Sequence, residues 1–451
     1  MSVDLDRIDD LVSIERGEID RRIFSDEEIF EREMEQIFGR AWLFLCHESQ
    51  LKKPGDFFEA PMGRDNVLVV RQKDGGLKGL LNTCMHRGNA VCRAEEGNTK
   101  VFMCTYHGWT YGLDGSLIGV PGLEQFYKNH LDRSQYGLKE VAQLDTYKGF
   151  VFATMDPSAP PLPEFLGAAG RLGIELIAAR GDMQVVPGIQ KFVINCNWKF
   201  TVDNLFDWYH PQITHMSAFS SGILPGGSPE MMDPNETIRA NGAATPDGTE
   251  LSIPGGGAVD SVTVLGEYGH AIGGPKVTDR PGPFDNTWRE RPEAREALGP
   301  VGMIVGGHPN IFPTAWIAVS VQLSLRVPLS PNQTEIWWFT FVDKSSPPEA
   351  QQMQVFMANH VFGPAGILEQ EDGENWTQST KQTRGYASSK IPQILKMDLG
   401  EGKIIKEDGI ARIEGATSEH GQLWTYGAWA AYMRGDSWDE IKAATTPGDF
   451  F

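Results

Sequence analysis

At 451 residues, with a formal net charge of −20 and five cysteines, the chain has length for two or three domains and for a core that needs no disulfide staples. The acidic balance excludes a nucleic-acid binder, which depends on a basic face, and no run of about 18 uncharged apolar residues is present to cross a membrane. Five thiols cannot all pair, and "MSVDLDRIDDLVSIERGEIDRR" has no apolar stretch to serve as an export signal; a reducing cytoplasm is expected, where clustered cysteines serve metals or catalysis.

Residues 5–40 read as helical. Apolar positions recur at helical spacing in "SDEEIFEREMEQIFGRAW", and Ser25 with Glu28 forms a candidate capping box. Residues 41–155 switch to short strands with turn punctuation. "NVLVVRQKDGGLKGLLN" reads as a hairpin across Asp74-Gly75-Gly76, and "GWTYGLDGSLIGV" as another across Asp114-Gly115. The proline-rich "DPSAPPLPEFL" (156–166) is a boundary. Beyond it, "TAWIAVSVQLSLRVPL" and "TEIWWFTFVDK" read as neighbouring antiparallel strands around Ser330-Pro331-Asn332, and "PEAQQMQVFMANHVF" as a helix. Residues 221–285 hold 13 Gly and 8 Pro in 65 positions, a composition that reads as either a disordered segment or a functional lid; its place just after 203–215 favours the lid. The sequence thus divides into a helical segment 1–40 packing on the last domain, an all-β domain 41–155 and an α+β domain 156–451.

The stretch "NTCMHRGNAVCRAEEGNTKVFMCTYHGW" (82–109) places Cys84 and His86 in one loop and Cys104 and His107 in another. Structural zinc sites usually pair like ligands at short spacing. Here each pair mixes thiolate with imidazole, which suits a diiron cluster with two Cys on one iron and two His on the other. Cys46, Cys92 and Cys196 are surplus thiols expected to pack as small apolar residues, and His47 and His130 read as surface or hydrogen-bonded histidines. The pattern "C-M-H-R-G" with "C-T-Y-H-G-W" resembles the Rieske [2Fe–2S] motif.

A second constellation lies in "KFTVDNLFDWYHPQITH", with Asp203, Asp207, His210 and His215 on a broken helix. Asp207 and His210, three apart, would be neighbours on a helical face. His210 and His215 diverge by about 140° on a straight helix, but Pro211 cannot donate to the carbonyl of Asp207, so the helix must restart and can turn His215 back. Two histidines and one carboxylate on one face make a non-haem Fe(II) site with positions open to O2. The acid would come from "FGPAGILEQEDGENW", which offers Glu369, Glu371, Asp372 and Glu374; chemistry alone permits more than one of them.

Taken together, the two sites resemble the large (alpha) subunit of Rieske-type aromatic-ring-hydroxylating dioxygenases of the biphenyl, phenylpropionate and naphthalene kind, over nearly the whole chain. "INCNWKF", "DWYH…TH", "NIFPT" and "GILEQEDGENW" fall in that family's order. The resemblance implies an α+β fold with a helix-grip-like catalytic domain, one [2Fe–2S] cluster on Cys84, His86, Cys104 and His107, and one Fe(II) on His210, His215 and Asp372. It implies Asp207 as the carboxylate bridging the cluster ligand His107 of one subunit to the iron ligand His210 of its neighbour in a trimer. Pro211 and Glu371 depart from the usual pattern. A substrate pocket is expected from Asn204, Leu205, Trp208, His308, Phe362 and Leu368. The implied partners are an aromatic substrate and O2, a small beta subunit in an α3β3 assembly, and a ferredoxin with an NADH-dependent reductase. Segments 203–219 and 362–376 contain no Lys or Arg, which favours a neutral hydrocarbon, although Arg239, Lys276 and Arg280 could reach inward. The competing readings are a monooxygenase or demethylase with the same two centres, an electron-transfer protein, and a zinc-stabilised scaffold.

Overall fold

The computed structural model describes residues 7–215, 217–218, 221, 237–244, 250–254, 260–277, 286–449 and 451. The chain forms two compact units, one of Glu33–Glu164 and one that joins the residues up to Arg32 to Phe165–Phe451. No helix of the described residues is long and apolar enough to cross a membrane.

The unit 33–164 is all-β apart from short helical turns. Its largest sheet runs Leu77–Leu81, Asp65–Arg71, Asp56–Met62, Glu96–Asn98, all antiparallel. The expected hairpin over 66–82 forms, with Arg71 opposite Leu77 and Val67 opposite Leu81, and Gly75 takes the left-handed φ of 90° that the turn requires. The second hairpin sets Leu117 opposite Tyr111. Alternating residues of these strands (Phe57, Leu68, Val70, Leu80) close one core with Cys84, Cys104, Trp109 and Tyr111, so the tips of the loops are seated on packed apolar side chains.

The other unit is built on a ten-stranded antiparallel sheet. Near its middle lie His308–Ile311, Ala315–Ala318, Gln322–Ser330 and Gln333–Asp343, in that order. The helix His420–Arg434 is buried along almost its whole length; its Trp424 indole donates to the carbonyl of Gly266 at 2.8 Å, and Tyr432 stacks on Phe312 at 4.9 Å. This α+β arrangement, a sheet gripping a helix, is the expected fold class.

Four local expectations change. Residues 5–40 are helical only in part: Val12–Ser13 and Glu18–Ile19 pair as a small hairpin, with Gly17 at φ 59° between them. The helix Glu27–Glu33 is capped by Asp26, whose Oδ1 accepts from the amides of Glu28 and Ile29, while the Ser25 hydroxyl donates to Thr383 O. A longer acceptor one residue nearer the helix displaced the proposed capping box. "TAWIAVSVQLSLRVPL" is two strands, because Val321 adopts φ 61° and folds Ala315–Ala318 back on Gln322–Ser330. Finally, part of the glycine-rich stretch 221–285 belongs to the sheet. Ser261–Leu265 and Ala271–Pro275 are sheet strands, and Thr237–Ala244 pairs with Glu250–Pro254. A Cβ on Gly273 would lie 3.0 Å from the Phe206 ring, and one on Gly274 2.6 Å from the Trp208 indole and 2.4 Å from Gly307. Those glycines let the histidine-bearing segment approach the sheet; 222–236, 245–249, 255–259 and 278–285 of the expected lid, Arg280 among them, lie outside the described residues.

Candidate metal centres

The two Cys/His loops share one backbone design. The carbonyl of Cys84 accepts from Gly88 N (2.8 Å) and that of Cys104 from Gly108 N (2.9 Å); the Cys84 amide donates to Asn89 O and the Cys104 amide to Trp109 O, both at 2.8 Å. Gly88 and Gly108 close the loops at φ 73° and 74°, which is why the fourth residue after each cysteine is glycine. Cys84 and Cys104 are buried, Cys84 Sγ 3.3 Å from the Tyr111 hydroxyl and Cys104 Sγ 3.5 Å from Asn89 Nδ2. His86 and His107 stand together with ring centroids 4.5 Å apart, His107 exposed, and the His86 ring stacks on Trp109 at 5.0 Å. His86 Nδ1 is buried without a hydrogen-bond partner, as a nitrogen reserved for a metal would be. Inner thiols paired with outer imidazoles fit a Rieske cluster.

The second centre starts from a broken helix. Trp198–Asp203 is α-helical, Asn204–Phe206 is a 3-10 turn, and Asp207 leaves the helix at φ −83°, ψ 91°. Pro211 then opens the short helix Pro211–Thr214 at its first turn, where its missing N–H costs nothing. The restart brings His215 back to His210, and their Nε2 atoms lie 3.3 Å apart. Asp207 therefore meets His210 from the break and not across a helical face. Its Oδ1 accepts from the amides of Tyr209 (2.9 Å) and His210 (3.1 Å), and its Oδ2 lies 3.5 Å from His210 Nδ1.

Asp372 closes the triad from the second turn of the helix Ile367–Thr383. Its Oδ1 is 3.3 Å from His210 Nε2 and 3.4 Å from His215 Nε2. Among the described residues, this is the group of three metal-type side chains whose ligand atoms all lie within 4.8 Å of one another. A triangle with those edges has its centre about 1.9 Å from each corner, a spacing that suits ligand bonds of about 2.0–2.2 Å, so these three side chains would hold a ferrous ion. Glu371 points elsewhere: its Oε2 accepts from His215 Nδ1 at 2.9 Å, and its Oε1 accepts from the Ser217 hydroxyl. Burial opposes a charge on His210, but the carboxylates of Asp207 and Asp372 on either side of the ring prevail and lift its imidazole to about 10. The surroundings are thus prepared for a cation. Asp203, one helical turn before Asp207, is pushed up to about 7 by burial, against the Tyr426 hydroxyl that donates to it at 2.6 Å.

Asn204, Asp203, Asp207, His210 and Asp372 line one side of the centre, on a cavity of about 640 Å³. Trp208, His308 and Phe362 gather on the sheet side: His308 lies 5.1 Å from Trp208, 5.2 Å from Trp316 and 6.2 Å from Phe362. Leu205 and Leu368 pack into the adjoining core with Phe362. His308 is on a strand and not a loop, and burial first, then the neighbouring charges of His210 and Arg326, push its imidazole down to about 3. Lys276 does not reach inward; its Nζ is paired with Glu414 at 2.7 Å. The side chain of Arg239 lies outside the described residues. Burial pushes the thiols of Cys46 and Cys196 up, that of Cys196 to about 12, and half-buried Cys92 donates to Ala94 O.

Sequence reasoning missed Trp316 and Trp338, which complete the aromatic wall, and Arg326, which is fully buried against Glu369. The available signal was the alternation of Gln322, Ser324 and Arg326 through an otherwise apolar strand, a polar row facing inward on one side of the sheet.

A sulfur-and-imidazole electron centre in one unit and a two-histidine, one-carboxylate centre in the other define a two-centre iron oxygenase. Residues 41–147 match the Rieske [2Fe-2S] domain and residues 177–401 match the ring hydroxylating alpha subunit catalytic domain, which implies a Rieske cluster and a non-haem iron. The chain is 36% identical over 448 residues to biphenyl 2,3-dioxygenase subunit alpha of Rhodococcus jostii (strain RHA1), covering 97% of this chain and 93% of that protein. It is 35% identical over 451 residues to benzene 1,2-dioxygenase subunit alpha of Pseudomonas putida, covering 97% and 95%. A solved naphthalene 1,2-dioxygenase with indole bound in its active site superposes with a TM-score of 0.81 at 30% identity, covering 96% of each chain. The chain belongs to the alpha subunits of aromatic-ring-hydroxylating dioxygenases and is an oxidoreductase of that class.

Proposed function

We propose that the chain is the terminal oxygenase component that cis-dihydroxylates an aromatic hydrocarbon ring, polycyclic rings included, with O2 and with electrons from NADH carried by a reductase and a ferredoxin. The observation that carries this reading is the convergence of His210, His215 and Asp372 in a chain that also holds the Cys84/His86 and Cys104/His107 loops. In this assignment the unit Glu33–Glu164 holds one [2Fe–2S] cluster on those four side chains, and the unit that joins the residues up to Arg32 to Phe165–Phe451 holds one Fe(II) on the triad. When bound, the cluster supplies single electrons and the ferrous ion supplies the activation of dioxygen.

The chain's own residues would do the following. Glu371 accepts from His215 Nδ1 and so leaves Nε2 as the lone-pair nitrogen facing the triad. Asp207 orients His210 and is assigned as the inter-subunit bridge to His107 of a neighbouring copy. In support, its side chain is 35% exposed and lines the cavity beside His210. Asn204, Leu205, Trp208, His308, Phe362 and Leu368 are assigned to the substrate pocket, whose aromatic side would exclude water from the reacting ring. Neutrality of the substrate is supported by a neutral His308, by Lys276 paired to Glu414, and by Arg326 paired to Glu369. A small beta subunit in an α3β3 assembly and a cytoplasmic location complete the proposal.

Metal and sulfide analysis with a visible spectrum tests the centres: about three irons and two sulfides per chain, in a red-brown protein, are expected. A colourless zinc protein overturns the reading. Turnover under labelled O2 then tests the reaction. Two labelled atoms in the product fit a dioxygenase, and one atom would move the chain to the monooxygenase or demethylase reading.

A further inference from the structure

Arg326 sits in the middle of the strand Gln322–Ser330 with its side chain fully buried, and its Nη1 is 2.6 Å from Glu369 Oε1. Its guanidinium lies over the rings of Trp316 (4.5 Å), Trp338 (5.3 Å) and Trp376 (5.6 Å), so aromatic faces cover what the single carboxylate does not. Glu369 is in the first turn of the helix that carries Asp372, three residues before it. Its second oxygen, Oε2, accepts from Trp338 Nε1 at 2.5 Å and from Gly363 N at 3.0 Å. One carboxylate therefore ties together two neighbouring strands, the turn after Phe362 and the start of the Asp372 helix.

Those same elements carry the aromatic wall. Trp338 stacks on Phe362 at 5.0 Å and 12°, Trp316 meets both edge-on at 4.9 Å, and His308 packs against Trp316. A buried ion pair adds little net stability over apolar residues of the same volume, so stability alone does not account for it. Direction does: paired hydrogen bonds fix orientation where apolar packing would permit the helix to slide or turn.

We propose that Arg326 and Glu369 are positioning residues for ring hydroxylation, locking the first turn of the Asp372 helix to the tryptophan wall so that the ligand carboxylate and the surface under the substrate ring keep one mutual orientation. This rests on the function proposed above and adds to it a determinant of which ring carbons react.

The test compares Glu369→Gln, the double variant Arg326→Leu/Glu369→Leu, and Trp338→Phe with the unaltered chain as holoenzyme. Three quantities are read: thermal stability, ferrous iron affinity by anaerobic titration, and the ratio of 2,3- to 3,4-diol formed from biphenyl as the probe ring. Glu369→Gln, which leaves the guanidinium unpaired, is expected to lose stability, bind iron about tenfold more weakly, and shift the isomer ratio at least about threefold. The double variant removes both charges. It is expected to regain stability while iron affinity and isomer ratio stay displaced, which a merely structural pair would not do. Trp338→Phe keeps the ring and deletes one donor to Glu369; a smaller displacement in the same direction is expected, and it decides the matter if the other two fail to fold. Unaltered iron affinity and isomer ratio in any folded variant overturn the proposal. An unaltered chain that binds no third iron, or hydroxylates no ring, defeats instead the function on which it rests.

Discussion

Two adjacent acids, Glu371 and Asp372, compete on paper for one iron, and the structure separates them into a partner of a ligand and a ligand. Glu371→Ala is accordingly expected to weaken ferrous iron without abolishing it. What the substitution removes is one charge-assisted hydrogen bond, from His215 Nδ1 to Glu371 Oε2 at 2.9 Å, on a side chain that is 22% exposed. Hydrogen bonds to charged groups contribute about 1.5–3 kcal/mol, and solvent access places this one near the lower end, at about 1.5 kcal/mol. That is about tenfold in Kd, within the 10–100-fold range for losing the outer partner of a metal-bound histidine. Asp372→Ala removes a corner of the triad and the carboxylate that faces both Nε2 atoms, at 3.3 and 3.4 Å, and is expected to end iron binding. The assay is an anaerobic titration of the metal-free triad against a chelator of known affinity, with the visible bands of the cluster reporting that the other unit is intact. If Asp372→Ala retains iron and Glu371→Ala loses it, the assignment is inverted. An unchanged affinity in Glu371→Ala removes the hydrogen bond from the account.

Asp207→Ala should stop product formation while iron and sulfide contents stay near those of the unaltered chain; normal turnover in that variant defeats its bridging role. Iron binding should strengthen about tenfold per pH unit through the neutral range, because His210, lifted to about 10 in the metal-free chain, must give up a proton to become a ligand; an affinity flat with pH contradicts the geometry around it. Acid should destabilise the second unit through His270 and His308, pushed down by burial to about 4 and about 3. Above about 6.5 neither state binds these protons; below it the unfolded chain binds them first, so stability falls with pH, by up to about 2.7 kcal/mol per unit while both titrate. Calorimetry between pH 7 and 5 checks the slope, which His270→Phe should roughly halve.

Which parts of this were legible in the sequence follows from how local their physics is. The Cys/His loops were, since the residues that shape each loop lie within five positions of its cysteine: Cys84 to Gly88 and Asn89, Cys104 to Gly108 and Trp109. The restart at Pro211 was legible for the same reason, proline being a local veto on the helix. The choice between Glu371 and Asp372 was not, although they are adjacent. Successive residues on a helix point about 100° apart, and which of the two faces the histidines depends on how the helix is rolled about its axis. Strand Gln322–Ser330 and strand Gln333–Asp343 set that roll, through Arg326 and Trp338 gripping Glu369. The glycines at 273 and 274 misled for the converse reason. Composition registers their flexibility, but their use here is space, and the side chains that need it, Phe206 and Trp208, are more than sixty positions away. A site assembled from separate elements is thus readable in its ligands and opaque in its orientation. The orientation is carried by side chains such as Arg326 that make no contact with the reacting atoms, and that is where substitutions should alter the product formed without removing the metal that forms it.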